Sequence, residues 1–223
     1  MYQPLWLTFK LAFVTTVCLI IIGIPIAAGL AQTKSKLKSI AEAVISLPLV
    51  LPPSVLGFYL LLAFSPQNGL GKMLNDVLNL RLIFSFTGLM LGSVIYSLPF
   101  MVHPVQAGLE ALPVSLKEAS QTLGKSNITT FFKVLLPNIK PALLTGAILT
   151  FAHTLGEFGL VLMIGGNIPG VTRVASIAVY DEVEALNFST AHVYAGVLLA
   201  VSFVILLIVY TTNRHIFKKR ITQ

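Results

Sequence analysis

The stretch EASQTLGKSNITTFFKVLLP, residues 118–137, is a largely polar interruption in a chain that is otherwise unusually apolar. Of the 223 residues, 56% are hydrophobic and only 10% are charged, whereas about a quarter of the residues in soluble domains are charged. This composition excludes an ordinary soluble domain. It also excludes a disordered chain, which lacks apolar surface to bury. We therefore interpret residues 118–137 as part of a loop between two membrane-spanning segments.

The apolar runs on both sides of this loop are long enough to cross a bilayer. A helix needs about 20 apolar residues to span a hydrocarbon core of about 30 Å, and five runs meet that length. They cover approximately Phe9–Ala31, Ala43–Phe64, Ile83–Ala107, Ala142–Gly165 and Val193–Thr212. The sequence therefore predicts an all-α integral membrane protein with five transmembrane helices, which form one domain over residues 8–213.

Lys and Arg are distributed unequally among the segments that connect these runs. Cytoplasmic loops carry the excess of basic residues. Most of the basic residues follow the first, third and fifth runs: Lys34, Lys36, Lys38, Lys117, Lys125, Lys133, Lys140, Arg214, Lys218, Lys219 and Arg220. This pattern predicts an outer N-terminal tail over residues 1–7 and a basic inner tail over residues 214–223. It also accounts for most of the net charge of +7 without a nucleic-acid partner.

The loop before the fourth run has the pattern of a helix, a break and a second short helix. Ser115 and Glu118 have the spacing of a capping box. Gly124 is placed to end the first helix in the left-handed conformation. An amphipathic segment, Ile128–Leu136, follows and is expected to stop at Pro137.

The offsets within this loop are specific. Gly124 follows Glu118-Ala119 closely, and Pro137 lies thirteen residues beyond the glycine. This arrangement resembles the EAA loop of type I ABC importer permeases, with Ser120 where alanine is usual. The resemblance implies that Glu118, Ala119, Ser120, Gly124 and Pro137 form a coupling helix that docks on a separate ATPase. An amphipathic helix resting on lipid headgroups is the alternative, but it does not explain the offsets.

ATP hydrolysis is expected on the partner and not on this chain. The sequence has no glycine-rich phosphate loop of the G-x-x-x-x-G-K-[ST] type. The resemblance implies two cytoplasmic ATP-binding subunits that use ATP-Mg. No cofactor or metal ion is expected on the permease itself.

Three prolines interrupt the second apolar run: Pro48, Pro52 and Pro53. Each proline removes a backbone hydrogen bond, and the freed carbonyl groups need other partners in a membrane. A helix broken in this way is expected to face a cavity. These prolines and Ser54 are therefore candidates for a transport pathway, with kinks of no functional role as the alternative.

Glu157 is the only acidic residue in the five predicted spans. A carboxyl group inside a bilayer usually has a function or a partner, and His153, four residues earlier, would share its helix face. An intramembrane hydrolase would need a third metal ligand, and a proton relay is a second alternative. We favour a structural and gating contact, and we add Ser97, Thr154 and Gly156 to the pathway and gate candidates.

Two further segments resemble oxyanion importers. They are GEFG at residues 156–159, continuing into residues 165–173, and YDEVE at residues 180–184. The resemblance is greatest to molybdate permeases, whereas sulfate and thiosulfate permeases share a shorter part. It implies an ATP-driven importer of molybdate, or of tungstate, in the inner membrane of a bacterium. A sulfate or thiosulfate permease, and a channel that needs no binding protein, remain as alternatives.

The resemblance also implies partners outside the membrane and within it. A periplasmic molybdate-binding protein would deliver the oxyanion, and a second copy of the chain would complete the pathway as a homodimer. The outer loop contains Arg173, Asp181, Glu182 and Glu184. We interpret these residues as the docking surface for the binding protein, with a solvated loop helix as the alternative.

Overall fold

The computed structural model describes residues 2–221, and it describes the side chains of residues 2–69, 71–77 and 79–208. The predicted basic tail, residues 214–223, falls outside the described side chains. The regular elements in the described part of the chain are helices, in agreement with the all-α prediction. They are α1 (Tyr2–Gln32), α2 (Leu37–Val50), α3 (Pro53–Phe64), α4 (Gly69–Leu78), α5 (Phe86–Glu110), α6 (Val114–Thr122), α7 (Asn127–Asn138), α8 (Lys140–Leu155), α9 (Gly159–Gly165), α10 (Ala175–Glu184) and α11 (Phe188–Ile221).

Three helices in residues 2–221 are individually long and apolar enough to cross a membrane: α1, α5 and α11. Two further pairs meet the same criterion only when their members are taken together. The α2–α3 pair is bent by 112° and the α7–α8 pair by 76°. Five crossings result when each bent pair counts once, although a bend of 112° also suits a re-entrant loop.

Helix boundaries differ from the sequence prediction at several positions. Helix α1 begins at Tyr2, so most of the predicted outer tail is helical; Pro4 lies in the first turn, where its missing N–H group is tolerated. The predicted fourth span is divided into α8 and α9, although the residues between them, 156–158, include no proline. Helix α11 extends beyond both ends of its predicted span.

Helices α1 and α5 pack side by side and run in the same direction. Two buried apolar clusters show this order, because early residues of α1 meet early residues of α5 and late residues meet late ones. The first cluster includes Leu7, Leu11 and Leu89, with residues of α9 and α10. The second includes Leu19, Leu30, Met101 and Val105.

Met101 shows how closely α1, α5 and α8 approach one another. It is fully buried and fits between a glycine of α1 and a glycine of α8. A Cβ atom added at Gly23 would lie 2.8 Å from Met101 Cγ, and one added at Gly146 would lie 3.1 Å from Met101 Sδ. The two glycines therefore allow three helices to meet around one methionine side chain.

Candidate pathway cleft and coupling helix

Two interrupted helices meet at the candidate site. The first interruption separates Val50, the end of α2, from Pro53, the start of α3, and the second separates Leu155 from Gly159. A Cβ atom added at Gly159 would lie 3.2 Å from Pro53 Cβ and 3.3 Å from the backbone nitrogen of Ser54. Glycine therefore allows the first turns of α3 and α9 to touch.

A cleft of about 640 Å³ lies beside this contact. Its walls are Pro53, Ser54, Tyr96, Ala152, His153, Gly156, Glu157, Phe158 and Gly159. Four of the predicted pathway and gate residues line the cleft: Pro53, Ser54, Gly156 and Glu157. The other four lie outside its lining: Pro48, Pro52, Ser97 and Thr154.

The carboxyl group of Glu157 is directed into the protein interior. The residue is only 4% exposed, and its Oε2 atom accepts a hydrogen bond of 2.7 Å from the Ser93 hydroxyl group on α5. Its Oε1 atom has no hydrogen-bond partner among the residues whose side chains are described. Glu157 therefore links α5 to the break between α8 and α9.

The expected contact between His153 and Glu157 is not found, because α8 ends at Leu155 before the helical turn that would bring them together. His153 Nδ1 instead lies 3.0 Å from Ser97 Oγ. The imidazole ring is stacked on Phe100 at a centroid distance of 4.2 Å. Because the two side chains have separate partners, the arrangement does not support the hydrolase alternative.

Ser97 and Thr154 connect α5 to α8. Their hydroxyl oxygens lie 3.2 Å apart, and Thr154 also donates to the carbonyl oxygen of Thr150 at 3.0 Å. Both residues are buried. In this conformation they are interhelical hydrogen-bonding residues behind the cleft wall, and they do not contact its interior.

In the segment predicted to lie outside the membrane, Arg173 and Asp181 form an ion pair. Arg173 Nη2 lies 2.8 Å from Asp181 Oδ2, and the Asn167 side-chain amide donates to both carboxylate oxygens of Asp181 at 3.0 and 3.1 Å. These bonds fasten the loop after α9 to the middle of α10. The two charged groups that we predicted to face a binding protein thus also have partners within the chain.

The other two predicted docking residues also have hydrogen-bond partners. Glu182 accepts a hydrogen bond of 2.8 Å from the Asn187 side chain, and Glu184 accepts one of 2.5 Å from the Tyr180 hydroxyl group. This hydrogen bond to the Glu184 carboxylate raises the pKa of Tyr180 above its ordinary value. Both bonds are exposed, so the acidic surface of α10 is accessible.

In the loop predicted to be cytoplasmic, the predicted helix, break and second helix are present as α6 and α7. Gly124 has a φ of 72°, the left-handed conformation expected after the first helix. The predicted capping box is wrong, because Pro113 occupies the N-cap position and Ser115 lies inside the first turn. Helix α7 ends at Asn138, one residue beyond Pro137, and contains a π-helical turn over Phe131–Leu135.

The predicted coupling residues divide into two groups by exposure. Glu118, Ala119, Gly124 and Pro137 are exposed. Ser120 is buried, and its hydroxyl oxygen lies 2.8 Å from that of Thr130. Serine in place of the usual alanine thus supplies a hydrogen bond that joins α6 to α7.

The tripeptide Gly124-Lys125-Ser126 has the composition of the end of a phosphate loop. Its structure is different, because it follows a helix and not a strand. The Ser126 hydroxyl oxygen accepts a hydrogen bond of 3.2 Å from the backbone N–H of Thr129 and so caps α7. This segment is a turn between two helices.

Sequence reasoning missed a charged cluster where the start of α2 meets the end of α5. Lys38 Nζ lies 2.8 Å from Glu110 Oε1 and 3.8 Å from Glu42 Oε1. The Gln106 side-chain amide donates to Glu42 at 2.5 Å and to Glu110 at 2.9 Å. The spacing of four residues in each helix was the available signal, but nothing in the sequence shows that the two pairs meet.

Comparison with known proteins identifies the family. Residues 20–223 match the model for the binding-protein-dependent transport system inner membrane component. The chain belongs to this family. As an inner membrane component, it is a permease-type subunit of a transport system that depends on a binding protein. The resemblance to ABC importer permeases that the sequence indicated is thereby confirmed.

Individual relatives of this inner membrane component are similar over most of their length. The chain is 47% identical over 208 residues to the molybdenum transport system permease protein ModB of Azotobacter vinelandii, covering 93% of this chain and 92% of that protein. It is 33% identical over 214 residues to the sulfate transport system permease protein CysT of Salmonella typhimurium, covering 96% and 76%.

A solved structure shows the same fold. The chain is similar to a chain of the MetNI methionine ABC transporter in an inward-facing conformation, with a TM-score of 0.73 and 19% sequence identity. The similarity covers 96% of this chain and 95% of the other. This likeness supports the predicted permease fold and carries no information on the substrate.

Proposed function

We propose that the chain is the permease subunit of an ATP-driven importer of molybdate. The observation that carries the proposal is 47% identity with a molybdenum permease over nearly the whole of both chains. Identity with the sulfate permease of Salmonella typhimurium is lower, at 33%, so sulfate is the second candidate. Tungstate, a tetrahedral dianion of nearly the same size, is expected to follow the same path.

The side chains that line the cleft favour transient contact with an oxyanion over tight binding. The cleft lining includes no Lys or Arg. Its polar side chains are Ser54, Tyr96 and His153, whereas the carboxyl group of Glu157 is directed into the protein interior. A transport path must bind its substrate weakly enough to release it. Selective, tight binding therefore belongs to the binding protein, and the cleft supplies hydroxyl and backbone groups for transient contacts.

A second copy of the chain would complete this pathway. The cleft lies open at the surface of one chain, and the neighbouring helices α2 and α3 expose large apolar side chains such as Val50 and Tyr59, at 82% and 62% exposure. Apolar side chains on a membrane-spanning pair of helices can face lipid or a second copy, and the open cleft beside them favours a second copy. We therefore propose a homodimer with the pathway between the copies.

Helix α6 is the proposed contact with the ATPase. Its exposed face includes Glu118 and Ala119, and Ser120 fastens it to Thr130 of α7. Helix α7 leads directly into α8, which ends at the cleft. Movement of two ATPase subunits that bind ATP-Mg would thus reach the cleft through a continuous run of helices.

The orientation follows from this assignment. With α6 in the cytoplasm, the N-terminus lies outside, the C-terminus lies inside and α10 faces the periplasm. The accessible acidic residues of α10, Glu182 and Glu184, are then placed to contact a periplasmic binding protein, together with the Arg173–Asp181 pair.

Transport by the reconstituted complex tests the proposal. Proteoliposomes that contain the permease, its ATPase and the binding protein are expected to take up labelled molybdate only with ATP and the binding protein present. Unlabelled tungstate should compete with the labelled molybdate, whereas the same concentration of sulfate should not. Uptake without ATP would favour a channel, and stronger competition by sulfate than by tungstate would favour the sulfate permease.

The contact between α6 and the ATPase is tested separately by crosslinking. Cys18 is the only cysteine in the sequence. With Cys18 replaced by serine, Ala119→Cys should crosslink to the ATPase, whereas Ser189→Cys, at an exposed position on the proposed outer side, should not. Labelling of Ala119→Cys by a reagent confined to the outer side would contradict the orientation.

A further inference from the structure

One face of α10 holds the break between α8 and α9. The Ser176 hydroxyl group donates a hydrogen bond of 2.6 Å to the backbone carbonyl oxygen of Glu157. The Tyr180 ring lies 5.2 Å from the ring of Phe158, centroid to centroid. Ser176 and Tyr180 are four residues apart and therefore lie on the same side of the helix. They contact two consecutive residues of the break.

The residue held by Ser176 is also part of the cleft wall. Glu157 lines the cleft, and its side chain is fastened to α5 through Ser93. The other carboxyl oxygen has no partner in the described part of the chain. Because the backbone of Glu157 is bonded to α10 and its side chain to α5, a displacement of α10 relative to α5 would move the cleft wall.

The start of α10 and its groove side differ in how closely they are packed. An apolar groove of about 500 Å³ lies beside the helix, lined by Gly156, Phe158, Ser176, Val179, Tyr180, Val183, Ala195 and Leu198. The beginning of α10 is fixed, since the backbone N–H of Ala175 donates to Thr8 Oγ1 at 2.8 Å. Tyr180 and Val183 on the groove side are each 43% exposed, whereas Ala175 is fully buried, so the later turns of α10 can shift more readily than its start.

We propose that Ser176 and Tyr180 are positioning residues that set the cleft wall at Glu157 according to the position of α10. This inference rests on the proposed function, because α10 carries the residues proposed to meet the binding protein. Contact of the loaded binding protein with the outer face of α10 then changes the width of the cleft through two side chains, before any movement of the ATPase.

The first test measures access to the cleft in proteoliposomes that contain the complete transporter, without ATP or binding protein. Cys18 is replaced by serine, and Ser54→Cys on the cleft wall reports reaction with a water-soluble maleimide. Ser176→Ala is expected to change the labelling rate about threefold, the effect typical of one interhelical hydrogen bond in a membrane protein. Ser176→Thr, which retains the hydroxyl group, should restore the original rate.

Ser189→Ala is the matched control, because it removes a hydroxyl group from the same outer region that bonds only locally, to Asn187 Oδ1 at 3.0 Å. It should leave the labelling rate unchanged. Equal rates for the parent and Ser176→Ala would overturn the proposal, as would an equal change in Ser189→Ala.

The second test measures the ratio of ATPase activity with and without the molybdate-loaded binding protein. Ser176→Ala and Tyr180→Leu should reduce this ratio while leaving the affinity for the binding protein unchanged. Tyr180→Phe keeps the ring on Phe158 but loses the hydroxyl bond to Glu184, and it should retain the full ratio. If Tyr180→Leu does not accumulate in the membrane, the Ser176 variants alone provide the test. A Ser176→Ala complex with the same ratio of ATPase activities as the parent complex refutes the positioning role.

The two tests distinguish failure of this inference from failure of the proposed function. A parent complex whose ATPase does not respond to the binding protein would contradict the proposed importer. The labelling experiment would still decide whether α10 positions the cleft wall, because it needs neither ATP nor the binding protein.

Discussion

Replacing Ser93 by alanine is expected to destabilise the protein through the group that it leaves behind. Ser93 is fully buried, Glu157 is 4% exposed, and their hydrogen bond is 2.7 Å long. In Ser93→Ala the carboxyl group keeps its buried position but loses the hydrogen bond to Oε2, while Oε1 already has no partner among the described residues.

Two magnitudes bear on the size of this effect. Hydrogen bonds between transmembrane helices contribute about 0.6 kcal/mol on average, whereas a buried polar group left without a partner costs about 1–3 kcal/mol. The second value applies here, because both oxygens of one carboxyl group are then unsatisfied. We expect Ser93→Ala to lower the free energy of unfolding by about 2 kcal/mol.

A double-mutant cycle identifies the cause. In Glu157→Leu the remaining Ser93 hydroxyl group can donate to a carbonyl oxygen of its own helix, so the further replacement of Ser93 by alanine should have almost no effect. The measurement is reversible unfolding in mixed micelles with increasing sodium dodecyl sulfate. Thr16→Val is the control, since the Thr16 hydroxyl group bonds only within α1, to Ala12 at 2.7 Å. An equal loss from Ser93→Ala in both backgrounds would refute the reasoning.

Three further outcomes are expected. Glu110→Lys should lower the free energy of unfolding by up to about 1 kcal/mol, the usual limit for a partly exposed ion pair. The added Lys38→Glu should restore part of this loss, because the new carboxylate also lies beside Glu42; a double variant no more stable than the single one would contradict a direct pair. Gly124→Asp should abolish ATP-driven uptake without reducing membrane insertion, and unchanged uptake would count against docking at this turn. Gly159→Val should slow uptake, because its Cβ would lie 3.2 Å from the start of α3; Gly29→Ala, with no atom within 4 Å of the added Cβ, should not.

Features that depend on neighbouring residues were predictable from the sequence. The lengths of the apolar runs predicted an all-α membrane protein, because a bilayer imposes one minimum length on every crossing helix. The prolines gave the interruption between α2 and α3, since proline removes a backbone donor wherever it stands. Gly124 predicted the turn between α6 and α7, because glycine readily adopts the left-handed conformation. The spacing of Glu118, Gly124 and Pro137 indicated the family.

Partners distant in the sequence were decided by the tertiary structure. Ser93 and Glu157 are 64 residues apart and Lys38 and Glu110 are 72 apart, so no local period relates them. The break between α8 and α9 includes no proline, and it is held by α5 and α10 through the side chain and the backbone of Glu157. Periodicity shows which side of a helix is apolar, but only packing determines which helix meets that side and which polar groups are left to bond to each other.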